Sequence, residues 1–319
     1  MSKITLIHGD CLEAIAQLET DSLHAVCTDP PYGLVEFSSG EVAKLRAGRG
    51  GVWRLPPKWD GCERRPLPRF SVLTAEQKKG IEIFFGQWAC VLLPKVRPGG
   101  HVLMAGNTVL QMYVQNAMVG AGFENRATLL RLYHGFRGGD RPKNAEREFP
   151  EVCVTPRGNY EPWMLFRKPL AEKTVADNLR QWETGGLRML AGGKPLPDAI
   201  ASFKTPAREK AIADHPSLKP QHLLRILVRA LLPLGRGTVL DPFMGSGSTL
   251  AAASCLGYDG IGMEIDPTFY ALAEKAIPRL AALYPGLNGE ALECPDVNGV
   301  QPEYQEQLEL LEPRERYRV

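Results

Sequence analysis

An α/β fold with a doubly wound, mostly parallel sheet is what this 319-residue chain predicts, and three observations carry it. The apolar run His24-Ala25-Val26-Cys27 reads as a short buried strand, and Asp29-Pro30-Pro31 ends it, because consecutive prolines cannot continue a hydrogen-bonded ladder. Residues 238–241 read as a second strand, which passes through the glycine turn Gly245-Ser246-Gly247 into an alanine-rich helix at 250–256. Between the two, helical and extended periods alternate, and such alternation calls for a parallel sheet with helices on both faces.

The elements follow in order. Residues 4–7 form a first strand, closed by His8-Gly9-Asp10, and Asp10 opens a helix whose apolar side is Cys11, Leu12, Ile15, Ala16 and Leu18. Residues 34–69 show neither period and are rich in glycine and in cations, among them Lys44, Arg46, Arg49 and Arg54, with Trp53 and Trp59 interleaved. A structureless stretch of this length is characteristically a functional loop, and cations among aromatics suit phosphate contact and base stacking. A helix over 75–95 presents Ile81, Phe84, Phe85, Trp88, Val91 and Leu92 to a core. Pro98-Gly99-Gly100 is expected as a turn into a strand at 101–105, followed by a helix over 108–119 and a strand over 127–133. Residues 134–147 break the rhythm with glycines and the cations Arg137, Arg141, Lys143 and Arg147. The run after Pro162 is expected as the last strand of the sheet. His215-Pro216-Ser217-Leu218-Lys219-Pro220 turns into an amphipathic helix over 221–232, and 260–266 is a strand with acids at its end.

Composition narrows the class. A hydrophobic share of 44% supplies a substantial core and excludes a disordered chain. The net charge of +2 is unevenly spread, since eight acids against three arginines after residue 286 leave the preceding body at +7. A basic body with an acidic tail is compatible with a polyanionic partner. The seven cysteines include no C-x-x-C pair, so no metal site is expected. No apolar run approaches the ~20 residues of a membrane span and the N-terminus has no signal-like segment, so a cytoplasmic protein with no membrane partner is expected.

The glycine turn is not a dinucleotide fingerprint, because Leu250 stands where a third glycine is required, and it is not a phosphate loop, because it lacks a lysine. Asp241 before the turn and Glu264 at the end of the next strand suit instead a ligand with ribose hydroxyls and a cationic or amine group.

Thr28-Asp29-Pro30-Pro31-Tyr32-Gly33 resembles the Asp-Pro-Pro-Tyr motif of DNA amino-methyltransferases, and Asp241-Pro242-Phe243-Met244-Gly245-Ser246-Gly247-Ser248-Thr249 is similar to the methyl-donor motif of the same enzymes. Residues 215–220 resemble the segment that precedes that motif, and 159–169 a stretch found in many members. The order of the two motifs is that of the permuted β group.

The resemblance implies a Rossmann-like methyltransferase fold with an inserted target-recognition region. It divides the chain into a catalytic half at 1–133 carrying the loop 34–69, a recognition region at 134–212 that includes the last sheet strand, a donor half at 213–286 and an acidic tail at 287–319. Asp29, Pro30, Pro31 and Tyr32 would be catalytic, with Tyr32 stacking on a base turned out of the duplex. S-adenosylmethionine would be held by Asp10, Cys11, Asp29, Ser217, Lys219, Asp241, Phe243, Gly245, Ser246, Gly247, Ser248, Thr249 and Glu264. Double-stranded DNA would meet Lys44, Arg46, Arg49, Arg54, Arg137, Arg141 and Lys143, with Arg147, Lys204, Arg208 and Lys210 as further candidates. A homodimer and a companion restriction nuclease are the other partners the family suggests.

The expected reaction is methyl transfer to an exocyclic amine, adenine N6 ahead of cytosine N4, because many N4 enzymes carry Ser where Asp29 stands. Methylation of RNA or of a protein amide, and a non-catalytic DNA-binding module, are the competing readings. Cytosine carbon-5 chemistry is excluded, since it needs a nucleophilic cysteine after proline and the chain has no Pro-Cys pair.

Overall fold

The structure, a computed structural model, describes residues 2–32, 73–133, 142, 144–156, 158–215 and 217–292. Among these residues the sheet has eight strands: β1 (Ile4–His8), β2 (Leu23–Thr28), β3 (Val96–Ala105), β4 (Glu124–Leu132), β5 (Tyr160–Arg167), β6 (Ala199–Ala201), β7 (Thr238–Asp241) and β8 (Asp259–Glu264). Their spatial order is β1-β8-β7-β2-β3-β5-β4-β6. All neighbours are parallel except β5, which runs antiparallel between β3 and β4. The mostly parallel α/β sheet expected from the sequence is what the chain forms.

The helices are α1 (Cys11–Ala16), α2 (Ala75–Leu92), α3 (Gln111–Gly120), α4 (Val175–Trp182), α5 (Ala207–Lys210), α6 (Gln221–Leu231), α7 (Ser248–Cys255) and α8 (Pro267–Ala281). On one face of the sheet, Ile81, Phe85, Trp88 and Leu92 of α2 pack with Val114 and Met118 of α3 over Val26, Val102, Met104 and Phe166. On the other, Leu223, Leu224, Leu227 and Leu231 of α6 cover Ala25, Leu103, Leu165 and Val239. None of the helices among the described residues is long and apolar enough to cross a membrane.

Three local expectations are corrected. Pro98-Gly99-Gly100 lies within β3 rather than before it: the register passes from Leu23↔Val96 to Ala25↔His101, so the extra residues bulge out and the strand resumes. β5 begins at Tyr160 and is interior in space, because two neighbours satisfy its wholly apolar run from Pro162 to Phe166 better than an edge would. Sequence periodicity also missed β6, α4, α5 and α8. β6 and α5 are too short to show a period, and α8 contains Pro278, which interrupts one.

α6 is buried on all sides, and buried charges hold its middle and its start. Near its middle, Arg225 donates to the carbonyls of Leu280, Ala281, Leu283, Tyr284 and Leu287 where α8 finishes. At its start, Gln221 N–H donates to Glu209 at 3.0 Å, and burial pushes the Glu209 carboxyl up from 4.5 to about 7. A raised carboxyl binds its proton more tightly in the folded chain than in the unfolded one. Its contribution is therefore full below about pH 4.5 and is lost as pH rises to about 7. Urea unfolding of the wild type and Glu209→Gln should show their stability difference changing by roughly 3 kcal/mol across that window; parallel curves would contradict the buried-acid assignment.

Candidate active site

The carboxyl ends of β1, β8, β7 and β2, four adjacent parallel strands, each present an acid: Asp10, Glu264, Asp241 and Asp29. Asp10 directly follows the Gly9 N–H that donates to the Glu264 carbonyl at 3.0 Å, and its own Oδ1 accepts the Leu12 N–H at 2.7 Å as the cap of α1. Glu264 spans two backbone donors, Gly245 N–H to Oε2 and Asp266 N–H to Oε1, both at 2.9 Å. It thereby ties the strand end to the glycine turn.

The turn itself needs its glycines. Gly245 has φ +51° and Gly247 φ +80°, and a Cβ on the first would stand 3.0 Å from His215 Nε2 while one on the second would overlap Ile277. Ser246 and Thr249 are buried behind the turn, Ser248 begins α7, and Phe243 lies partly exposed, its ring 6.1 Å from Trp88 and 6.5 Å from Phe84. Asp241 is buried; its Oδ1 accepts the Thr28 hydroxyl at 2.7 Å and the Phe243 N–H at 3.2 Å. Burial pushes its carboxyl up from 3.8 to about 6, with those bonds pulling the other way.

Asp29 lies one residue past Thr28 in a second, denser cluster. Lys219 Nζ stands 2.6 Å from Asp29 Oδ2 and 3.0 Å from Glu161 Oε1. The Tyr32 hydroxyl reaches Asp29 Oδ1 at 2.9 Å and Glu161 Oε1 at 2.8 Å. Glu161 Oε2 in turn accepts from Arg131 and from the Trp163 indole, each at 3.1 Å, and Arg131 is fixed by Ser202 Oγ and the Phe203 carbonyl. The side chains of Lys219 and Glu161 are 9% and 5% exposed and that of Asp29 17%, so the acid is the member that meets solvent. Burial raises the Asp29 carboxyl while Lys219 opposes it; the cations Lys219 and Arg131 outweigh burial at Glu161 and hold it down at about 2.

The sequence-identified residues separate into two groups. Asp10, Cys11, Asp241, Phe243, Gly245, Ser246, Gly247, Ser248, Thr249 and Glu264 gather around the strand ends β1, β8 and β7. Ser217 is exposed in the adjoining turn, its N–H on His215 Nδ1 at 3.2 Å. Lys219 instead joins Asp29. The Tyr32 ring packs against both cores and its hydroxyl is anchored in the charged cluster, while Pro31 is exposed beside it. Lys44, Arg46, Arg49, Arg54, Arg137, Arg141 and Lys143 lie outside the described residues. Arg147, Lys204 and Lys210 are exposed, but Arg208 is committed to Tyr284, with Nε 2.8 Å from its hydroxyl.

Sequence reasoning missed Glu161 and Arg131. Both carry a signal: a charge set against apolar neighbours, Glu161 ahead of the run Pro162–Phe166 and Arg131 between Leu130 and Leu132, which antiparallel register sets directly opposite each other.

Thr28→Val should cost about 1–3 kcal/mol by leaving Asp241 short of a buried donor. The urea midpoint measures it, and an unchanged midpoint would remove the bond from the stability of the site.

Residues 140–275 match the DNA methylase family N6_N4_Mtase. The type II methyltransferase M2.DpnII of Streptococcus pneumoniae is 24% identical over 280 residues, 86% of this chain and 90% of that protein. M.HindIII of Haemophilus influenzae is 25% identical over 297 residues, covering 84% and 93%. Two solved structures share the fold: M1.HpyAVI with SAM at TM-score 0.52, 19% identity and 86% and 98% coverage, and the cytosine-N4-specific PvuII DNA methyltransferase at 0.56, 15%, 91% and 94%. The glycine cradle, filled by no Cβ and flanked by the carboxylates of Glu264 and Asp10, fits S-adenosylmethionine, a ligand with ribose hydroxyls and a cationic end. Over residues 140–275 the chain thus matches the DNA methylase family, and its motif order and sheet are similar to those of S-adenosylmethionine-dependent DNA amino-methyltransferases.

Proposed function

We propose that the enzyme methylates adenine N6 in double-stranded DNA, with Asp29, Pro30, Pro31 and Tyr32 as the catalytic set. The observation that carries this reading is the Asp29 carboxylate at the end of β2, partly open to solvent and adjacent to the Asp241 turn through the Thr28 bond. An exocyclic amine is a poor nucleophile because its lone pair is delocalised into the base. Asp29 and the Pro30 carbonyl accept its N–H bonds, which turns the lone pair outward, and these acceptors act most strongly where water is excluded. The prolines fix both acceptors in place. Tyr32 offers its ring to the flipped base.

S-adenosylmethionine supplies the electrophilic methyl group. Asp10 and Glu264 are assigned to its hydroxyl and amine groups, Phe243 to its flat ring, and the backbone of residues 245–249 to close approach, with Cys11 and Ser217 at the margins. The division of the chain at 133, 212 and 286 is retained as part of this reading, with 134–212 as the target-recognition region. The names of the type II relatives support a companion restriction nuclease, and the resemblance to the family suggests a homodimer. A DNA substrate supports the cytoplasmic location expected from the sequence.

Three experiments test the reading. Duplex DNA incubated with the protein and S-adenosylmethionine, then digested to nucleosides, should yield N6-methyladenine by mass spectrometry; N4-methylcytosine would overturn the base assignment. Asp29→Ala should abolish turnover while donor binding by calorimetry stays measurable, and equal turnover would sink the mechanism. Glu264→Ala should weaken that donor binding by roughly 10- to 100-fold, the loss of charge-assisted hydrogen bonds; an unchanged affinity would remove Glu264 from the donor site.

A further inference from the structure

Lys219 was expected at the methyl donor, yet its ammonium bridges two carboxylates instead, Asp29 Oδ2 at 2.6 Å and Glu161 Oε1 at 3.0 Å. The bridge is built from four separate elements. Lys219 comes from the turn before α6, Glu161 from β5, Arg131 from β4 and Asp29 from the end of β2. Register places Arg131 directly opposite Glu161, and a 3.1 Å ion pair joins them. A run of alternating charge thus reaches from Arg131 through Glu161 and Lys219 to Asp29. Its inner members are almost wholly buried and its last member, Asp29, is the most exposed of them.

The Tyr32 hydroxyl has one proton and two carboxylate oxygens within reach, Asp29 Oδ1 at 2.9 Å and Glu161 Oε1 at 2.8 Å. It can give that proton to only one of them at a time. If an incoming amine donates to Asp29 Oδ1, Tyr32 can turn to Glu161 and no buried donor is left unpaired.

We propose that Lys219 and Glu161 are positioning residues for catalysis: Lys219 holds Asp29 as a carboxylate aimed by its Oδ2, and Glu161 holds Lys219 while serving as the alternate acceptor that releases Asp29 Oδ1 to the target amine. The proposal rests on Asp29 being the amine's acceptor. The charged and titratable groups facing Asp29 are Tyr32 from its own segment, Cys27 beneath it on β2, Asp241 from β7, Lys219 before α6 and Glu161 from β5, with Arg131 of β4 behind. Of these, Lys219 favours the charged form of Asp29, and Glu161 disfavours it.

Turnover needs the Asp29 carboxylate, so the rate rises with pH as that group ionises and the acid limb of the kcat profile reports it. Lys219→Met removes a stabilising cation and moves the limb to higher pH, by about one unit or more for a charge at this distance. Glu161→Gln keeps the shape of its side chain but removes a repelling anion, and moves the limb to lower pH. Both variants should bind S-adenosylmethionine within about twofold of wild type by calorimetry, since neither residue touches the donor in this assignment.

Opposite displacement of the two limbs is the expected result, because a residue that only supports folding lowers the rate at every pH without moving the limb. Limbs that stay in place, or that move in the same direction, would overturn the proposal. So would a Lys219→Met enzyme that loses donor affinity with its limb unmoved, which would return Lys219 to the donor site. Glu161→Gln carries the test alone if the lysine variant does not fold. An Asp29→Asn enzyme with the wild-type profile would instead overturn Asp29 as the acceptor, a failure distinguishable from the others because it needs neither Lys219 nor Glu161.

Discussion

The parallel pairing of β2 with β7 is the constraint on which the rest of the site depends. Ala25 faces Val239 and Val26 faces Leu240, and this short register brings together segments more than two hundred residues apart. At its carboxyl end, the Thr28 hydroxyl closes on Asp241 at 2.7 Å. The Asp29-Pro30-Pro31-Tyr32 segment follows Thr28 immediately and the glycine turn follows Asp241, so one buried hydrogen bond sets the distance between Asp29 and that turn. Helices on both faces hold the pairing in place: Val26 and Leu240 belong to one core and Ala25 and Val239 to the other. An open α/β sheet binds ligands beyond the carboxyl ends of its strands, and the four acids at β1, β8, β7 and β2 occupy that edge.

Beside that edge sits an expensive feature, a buried cluster of two cations, two carboxylates and a phenol. Charges removed from water are tolerated only when every remaining lone pair and proton is engaged. Here Glu161 takes Tyr32 and Lys219 on one oxygen and Arg131 and Trp163 on the other, and Arg131 is completed by Ser202 and Phe203. A stabilising core of the same volume could be apolar. Its retention as a satisfied ionic network beside Asp29 makes sense as a device for fixing one carboxylate, since low local dielectric strengthens each bond and penalises any misplacement.

Much of the fold was legible because its long elements have unambiguous periods. The apolar stripe Ile81, Phe85, Trp88 and Leu92 became the buried side of α2, and the two motifs landed at the ends of β2 and β7. Short elements left no such trace. β6 has three residues and α5 four, while Pro98-Gly99-Gly100 carries every mark of a turn yet is a bulge inside a strand, since only the neighbouring register shows that β3 starts before it. Asp10 was readable as a cap, and the structure uses it so.

By itself the sequence determined the chemistry on offer: an acid fixed by two prolines, a glycine turn between acids, and their order along the chain. Those features are local, set by proline's missing donor and by glycine's freedom at positive φ. Only tertiary structure decided which of the chain's charges act together. Lys219 lies far nearer in sequence to the glycine turn than to Asp29, but the buried α6 that follows it carries its ammonium to Asp29, and Glu161 meets Arg131 only because β5 turns antiparallel against β4. Pairings of that kind depend on register and on the direction of strands far apart in the chain, and no local pattern of residue types encodes them.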